Sequence, residues 1–155
     1  MKKEILRLLL PMNLSSVELA KLHKRCFPDK PYSEQTMKYF LDNDKYVILS
    51  GKFSLAITLI FQEISEIITI AVDPSHRKNG LGSKLLSQIV QIAKNKGSKK
   101  IFLEVSSQNQ VAIRMYKNAG FKTIYVRKNY YSLVDKTLCD ALVMALKLDN
   151  RAKYS

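Results

Sequence analysis

The stretch Val72-Asp73-Pro74-Ser75-His76-Arg77-Lys78-Asn79-Gly80-Leu81-Gly82-Ser83 puts two glycines and a cation between an apolar run and an amphipathic one. That is a strand feeding a helix through a short loop. Free backbone N–H groups and the helix dipole at such a place suit a phosphate. Gly80 and Gly82 let the backbone come close, and Arg77 adds positive charge. Spacing excludes two familiar phosphate loops. A dinucleotide fingerprint needs a third glycine where Leu85 stands. A P-loop needs Gly-Lys-Ser/Thr, whereas the order here is Gly82-Ser83-Lys84. Taken alone, the loop is equally compatible with a plain strand-to-helix turn.

Other residues could do acid–base work. Glu104 interrupts the apolar run Ile101-Phe102-Leu103-Glu104-Val105. Strand alternation could simply turn it to solvent. A strand that follows a crossover helix is expected to be central, however, and a carboxylate there is costly unless used. Tyr116 shares a helix face with Ala112 and Ala119, which core packing alone would explain. Tyr130-Tyr131 reads as well as ordinary strand aromatics as it does as a grip on a substrate. His76 reads as a surface loop residue. Cys26 and Cys139 read as small core fillers, and neither has the paired histidine that a covalent route would need.

The elements that position these residues follow from periodicity. Ile5 to Leu10 is expected as a first strand. Ser15-Ser16-Val17-Glu18 is a capping box opening a helix with Leu19, Leu22 and Cys26 on one face. Pro28 and Pro31 stop that helix. Ser33 caps a second one carrying Met37, Phe40 and Leu41. Tyr46 to Leu49, a turn at Ser50-Gly51-Lys52 and Phe53 to Phe61 form a hairpin. Ile64 to Val72 is a further strand. From Gly80 a helix carries Leu81, Leu85, Ile89 and Ile92 at helical spacing and closes at Gly97. Ile101 to Val105 is a strand, Asn109 to Asn118 a helix ended by Gly120. Phe121 to Arg127 and Leu138 to Leu148 are the last strands. The order β-α-α-β-β-β-α-β-α-β-β predicts an α/β chain with a mixed sheet and helices on both faces.

Composition removes whole classes of function. The chain has 155 residues and 46% apolar residues, enough for one core, so residues 1–155 are expected to form a single domain. No run approaches the ~18 apolar residues of a membrane span. Met1-Lys2-Lys3 followed by Ile5 to Leu10 imitates a signal peptide. Glu4 and Arg7 interrupt it, Pro11 follows, and no small-residue cleavage site appears. Two cysteines are too few for a disulfide scaffold, and with two histidines no zinc-ligand spacing can be built. A reduced, cytoplasmic, metal-free protein is expected. The net charge of +13 rests on 20 Lys and only 6 Arg, scattered and without a recognition motif. Such a surface attracts polyanions without specificity. It looks like compositional drift as much as a selected surface.

Two motifs in order carry a resemblance. Arg77-x-x-Gly80-x-Gly82 and Asn109-x-x-Ala112-x-x-x-Tyr116-x-x-x-Gly120-Phe121, on the elements just described, closely resemble the GCN5-related N-acetyltransferase superfamily. Cys26-Phe27-Pro28, Leu103-Glu104-Val105, Arg127-Lys128-Asn129-Tyr130-Tyr131 and Asp140-Ala141-Leu142-Val143-Met144-Ala145-Leu146 look like the bacterial ribosomal-protein-alanine N-acetyltransferases. The chain departs from that pattern at Cys139, where an acidic residue is frequent, at Tyr32, where Trp is frequent, and at Arg77, where Gln is common. The resemblance implies acetyl-coenzyme A as acetyl donor. Its pyrophosphate would lie on backbone N–H groups of Arg77, Lys78, Asn79, Gly80, Leu81, Gly82 and Ser83, with Asn109 also at the coenzyme. Its pantetheine arm would pair with Ile70, Ala71 and Val72. The resemblance further implies Glu104 as general base, Tyr116 beside the coenzyme sulfur, and Phe27, Tyr32, Tyr130 and Tyr131 around the acceptor. The acceptor it implies is the N-terminal alanine of a small-subunit ribosomal protein. A small amine or polyamine acetyltransferase on the same scaffold is the second reading. A non-catalytic basic module riding on the ribosome is the third, disfavoured because both Glu104 and Tyr116 are present.

Overall fold

Ser15 opens the first helix as the capping box requires. Its hydroxyl accepts the Glu18 N–H, and the Glu18 carboxylate accepts the Ser15 N–H in return. In the computed structural model, residues 12–149 are described, and the elements they form run as follows. Helices α1 (Ser16–Cys26) and α2 (Glu34–Leu41) precede strands β1 (Tyr46–Gly51), β2 (Ser54–Phe61) and β3 (Ile64–Val72). A 3-10 turn over Pro74–His76 leads to α3 (Leu81–Asn95), β4 (Lys100–Ser106), α4 (Gln110–Asn118), β5 (Lys122–Ser132) and β6 (Leu138–Lys147). The strand expected over Ile5 to Leu10 lies outside the described residues.

The strands lie in the order β1-β2-β3-β4-β6-β5. β3 and β4 are parallel, while β1–β2, β4–β6 and β5–β6 are antiparallel, so the sheet is mixed as expected. β4 is flanked by β3 and β6, which makes it an interior strand. Its residues alternate in burial, with Ile101, Leu103 and Val105 buried and Phe102 and Glu104 half-buried. Glu104 therefore faces away from Ile101, Leu103 and Val105.

Two compact units are distinguished along the chain. One runs up to Leu59 and includes Ile68–Gln88; the other takes Ile60–Ile67 and the chain from Ile89. In the first, Leu19, Leu22 and Cys26 of α1 pack with Met37, Phe40, Leu55, Ile57 and Ala71. In the second, Ile101, Leu103, Ile113, Phe121, Ala141 and Met144 are buried. Among the described residues no helix is long and apolar enough to cross a membrane, and no group of three or more His, Cys, Asp or Glu could hold a metal.

Three sequence expectations need correcting. The hairpin turn expected at Ser50-Gly51-Lys52 sits one residue later, because Gly51 still pairs with Ser54. Leu41, expected on the core face of α2, is 44% exposed at the helix end. The strand expected to stop at Arg127 continues to Ser132 as β5. It does so across an irregularity between Arg127 and Tyr131, which breaks the period-two pattern by which a strand is recognised.

Candidate active site

The phosphate-loop candidate begins where β3 ends. The β3–β4 ladder runs from Ile64–Lys100 to Ile67–Leu103. Ile70, Ala71 and Val72 lie beyond it on β3, with β4-side backbone groups outside that ladder. An extended ligand arm can pair with such a strand as an added strand would. Asp73 then anchors the turn. Its carboxylate accepts from Arg25 Nε at 2.7 Å and from the hydroxyl and N–H of Ser75 at 2.6 and 3.1 Å. These bonds, led by Ser75, hold the Asp73 carboxyl down at about 2. Its own N–H donates to the Phe53 carbonyl, and the His76 ring stacks on Phe53 at 3.5 Å.

The loop itself fits a pyrophosphate. Lys78 and Gly80 both have positive φ, 64° and 77°. That alternation aims successive N–H groups to one side. A Cβ added at Gly80 would meet nothing within 4 Å, so the approach is open. The first bond into α3 is Lys84 N–H to Gly80 carbonyl. The N–H groups of Leu81, Gly82 and Ser83 thus stand at the helix start without intrahelical partners. Arg77 behaves differently from the expectation that its charge serves the phosphate. Its guanidinium donates to the carbonyls of Val72, at 3.0 Å, and Cys26, at 3.3 Å. It braces the loop against α1 and leaves its backbone N–H as its offering. Both cysteines are free and buried, and burial raises the Cys26 thiol to about 11.

The acid–base candidates belong to the second unit. Glu104 projects from β4 with its side chain 25% exposed. The Tyr131 hydroxyl donates to its Oε1 at 3.0 Å, and Arg127 Nε lies 3.1 Å from its Oε2. Each carboxylate oxygen keeps a second lone pair for water or substrate. Burial first, then the Glu104 charge and the bond to it, raise the Tyr131 phenol well above the usual tyrosine range. Tyr131 therefore stays protonated and donating at neutral pH. Arg127 also lies 5.2 Å over the Tyr130 ring, and Tyr130 and Tyr131 meet edge to face at 5.2 Å. Tyr130 is 52% exposed, a surface aromatic against the Arg127 and Tyr131 that hold the Glu104 carboxylate.

Tyr116 sits on α4, 7% exposed, with its ring 5.7 Å from Phe121. Burial pushes its phenol up to about 12, so it holds its proton at neutral pH. Asn109 is the N-cap of α4, its side chain accepting the Ala112 N–H at 3.2 Å, so the amide serves the helix. Phe27 and Tyr32 flank His23 in the first unit. Tyr32 stacks on His23 at 4.3 Å and Phe27 lies 4.9 Å from it. His23 Nδ1 accepts the Tyr32 N–H at 3.1 Å.

Glu104, Tyr130 and Tyr131 are thus brought together. Sequence reasoning missed Arg127 as the partner of Glu104. Its only signal was a cation four residues before Tyr131 on an expected strand, which shares a face with it. His23 was also missed, because a lone histidine on an apolar helix face carries no distinctive spacing.

The acetyltransferase (GNAT) family profile matches residues 16–121. The chain is 34% identical over 125 residues to the [ribosomal protein bS18]-alanine N-acetyltransferase of Escherichia coli strain K12, covering 76% of this chain and 82% of that one. It is 32% identical over 116 residues to the enzyme of the same name from Haemophilus ducreyi, covering 75% and 79%. The crystal structure of the ribosomal-protein-S18-alanine N-acetyltransferase from Escherichia coli superposes with a TM-score of 0.80 at 27% identity, covering 94% of this chain and 97% of that one. A glycine-bearing loop that leaves backbone N–H groups open at a helix start, an interior-strand carboxylate and a profile spanning most of the chain converge: the chain belongs to the acetyltransferase (GNAT) family and is an acetyl-coenzyme A-dependent acyltransferase.

Proposed function

We propose that this protein acetylates the N-terminal α-amine of a protein acceptor, an alanine at the start of a small-subunit ribosomal protein. The observation that carries the reading is the Glu104 carboxylate, held by Tyr131 and Arg127 and flanked by the exposed Tyr130 ring. Similarity to bS18-alanine N-acetyltransferases over three quarters of the chain supports the acceptor class. We also propose that residues 1–155 work as one acetyltransferase domain. The family profile and the continuous β3 and α3 draw on both compact units, which supports this.

Acetyl-coenzyme A supplies an activated acetyl thioester. Residues of this chain do the rest. An α-amine with a pKa of about 7.7–8.0 arrives largely protonated at neutral pH. Glu104, through a water on its free lone pairs, takes that proton, and the neutral amine attacks the acetyl carbonyl. A backbone N–H near Val72 stabilises charge developing on the carbonyl oxygen, a contribution typically worth ~10²–10³ in rate. The Tyr116 hydroxyl gives its proton to the departing thiolate, and the second proton that the nitrogen sheds as the amide forms restores the Tyr116 hydroxyl. Leu81, Gly82 and Ser83 hold the pyrophosphate, with Arg77, Lys78, Asn79 and Gly80 shaping the loop. Tyr130 and Tyr131, on the strand that carries Arg127, grip the first residues of the acceptor; Phe27 and Tyr32, around His23, are the acceptor residues proposed for the first unit. Arg127 beside Glu104 disfavours a polycationic acceptor, since like charges repel at that carboxylate.

The experiment is acetylation of three acceptors. A short peptide beginning with free alanine should be modified on its α-amine. The same peptide with a blocked N-terminus and an internal lysine should not, because a lysine near pKa 10.4 holds its proton roughly 3 kcal/mol more tightly. Fast modification of the blocked peptide, or of spermidine, would contradict the reading.

A further inference from the structure

The irregularity in β5 has a simple geometry. Arg127 pairs with Ala141 and Tyr131 with Cys139, so β5 advances four residues while β6 advances two. Lys128, Asn129 and Tyr130 stand opposite the single residue Asp140. This is a special bulge carrying two extra residues. On a regular ladder Tyr131 would fall opposite position 137. That is one two-residue step, roughly 7 Å, further along the sheet from Glu104. The observed Tyr131–Glu104 bond is 3.0 Å, so without the bulge it could not form.

Asp140 fills the bulge. Its Oδ1 accepts the Asn129 N–H at 3.0 Å and its Oδ2 accepts from Lys128 Nζ at 3.0 Å. Asn129 adopts a φ of 50°, a left-handed conformation that asparagine tolerates and glycine prefers. The geometry points to Asp140 as the positioning residue of the acid–base site: it clamps the β5 bulge that brings Tyr131 onto Glu104, beside the Arg127 that precedes it. Ladder parity supports the separation of roles. Glu104 pairs with Val143, and Val143, Ala141 and Cys139 alternate along β6, so Glu104, Arg127 and Tyr131 share one face. Asp140 has the opposite parity and bonds to Lys128 and Asn129 of β5, so it acts through the backbone of its neighbour strand.

The inference rests on the reading of Glu104 as general base, and its test separates the two. The Tyr131 phenol reports the geometry directly, because part of what keeps it protonated is its bond to Glu104. Its titration is followed by NMR in the full chain labelled with ¹³C-tyrosine, with Tyr131→Phe identifying the signal. Wild type, Asp140→Ala and the double variant Asp140→Ala with Asn129→Gly are compared. Turnover of the alanine-initiated peptide is measured on the same samples. In Asp140→Ala the Tyr131 signal should titrate at lower pH, and kcat should fall roughly ten-fold while KM for acetyl-coenzyme A stays put. Asn129→Gly should recover at least part of both, since glycine takes the left-handed conformation without the clamp. Asp140→Ser, which keeps a polar group but cannot reach the Asn129 N–H and Lys128 together, serves if Asp140→Ala does not fold. A Tyr131 titration unchanged in these variants overturns the clamp, whatever happens to kcat. A moved titration with wild-type kcat overturns Asp140 as a positioning residue of the acid–base site, while the reading of Glu104 as base stands or falls separately on Glu104→Gln.

Discussion

At the scale of single residues, the proposed chemistry rests on a carboxylate and a phenol held in different ways. Glu104 is half-buried, hydrogen-bonded and beside a cation, while Tyr116 is deeply buried, with its phenol pushed up to about 12. Glu104→Gln keeps the shape and cannot take a proton; Tyr116→Phe keeps the packing and loses the hydroxyl. Each should lower kcat by roughly 10²–10⁴ with acetyl-coenzyme A affinity unchanged. The two losses should differ in pH dependence. The Glu104→Gln deficit should shrink toward pH 9, where the acceptor amine is already neutral in solution. The Tyr116→Phe deficit should persist, because thiolate departure does not depend on the state of the amine. Steady-state kcat from pH 6.5 to 9.5 decides this, and a Glu104→Gln rate near wild type at pH 7 would move the base elsewhere. The identity of Glu104 was legible in sequence because a carboxylate in an apolar strand is conspicuous. Its partners were not, because Arg127 stands at the end of the expected strand and Tyr131 reaches Glu104 only through a bulge beyond it. A two-residue insertion leaves no trace in hydrophobic periodicity when most residues around it are exposed, as Lys122–Tyr125 and Arg127–Tyr130 are.

At the scale of elements, the start of α3 and the turn after α1 each carry a prediction. The open N–H groups of Leu81–Ser83 are the proposed seat of the pyrophosphate. Gly82→Val puts a branched side chain in that space, in a helical position where valine is tolerated. Calorimetric titration should show acetyl-coenzyme A binding weakened at least roughly ten-fold, about 1.4 kcal/mol, with the fold intact. Unchanged affinity would return the loop to a plain strand-to-helix turn. His23 ties α1 to the loop before α2 by accepting the Tyr32 N–H, and burial lowers its pKa from 6.5 to about 4. The unfolded chain therefore binds a proton near pH 6.5 that the folded chain refuses until about 4. Folding stability is fully present above pH 6.5 and declines as pH falls through that window, by roughly 3 kcal/mol for this group. Thermal melting at pH 7 and pH 4.5 should show a smaller decline for His23→Asn than for wild type, and equal declines would contradict the assignment. Element identities were legible wherever caps and periodicity agreed. Ser15 and Ser33 start helices, Gly97 and Gly120 follow them in positive φ, and Ile64 to Val72 is a strand from end to end. Boundaries failed where tertiary pairing overrode local pattern, at Gly51 and beyond Arg127.

At the scale of the molecule, the charge of +13 is a background, and the proposed site at Glu104 is where acceptors would be told apart. A strongly basic surface draws the protein to polyanions such as a ribosome without choosing a site on it. Selection of one amine then falls to Glu104 and the tyrosines around it. The order of elements and the mixed sheet were legible in the alternation of periodicities. The acceptor was legible only through resemblance, because no spacing in the chain encodes which amine fits beside Tyr130 and Tyr131. The direct test is therefore made on the acceptors themselves. Intact-mass spectrometry is run on small-subunit ribosomal proteins from cells that express this protein and from cells that lack it. One small-subunit protein should carry an acetyl group on its N-terminal alanine only when this protein is present, and lose it again with Glu104→Gln. Identical N-terminal acetylation in both sets of cells would contradict the account.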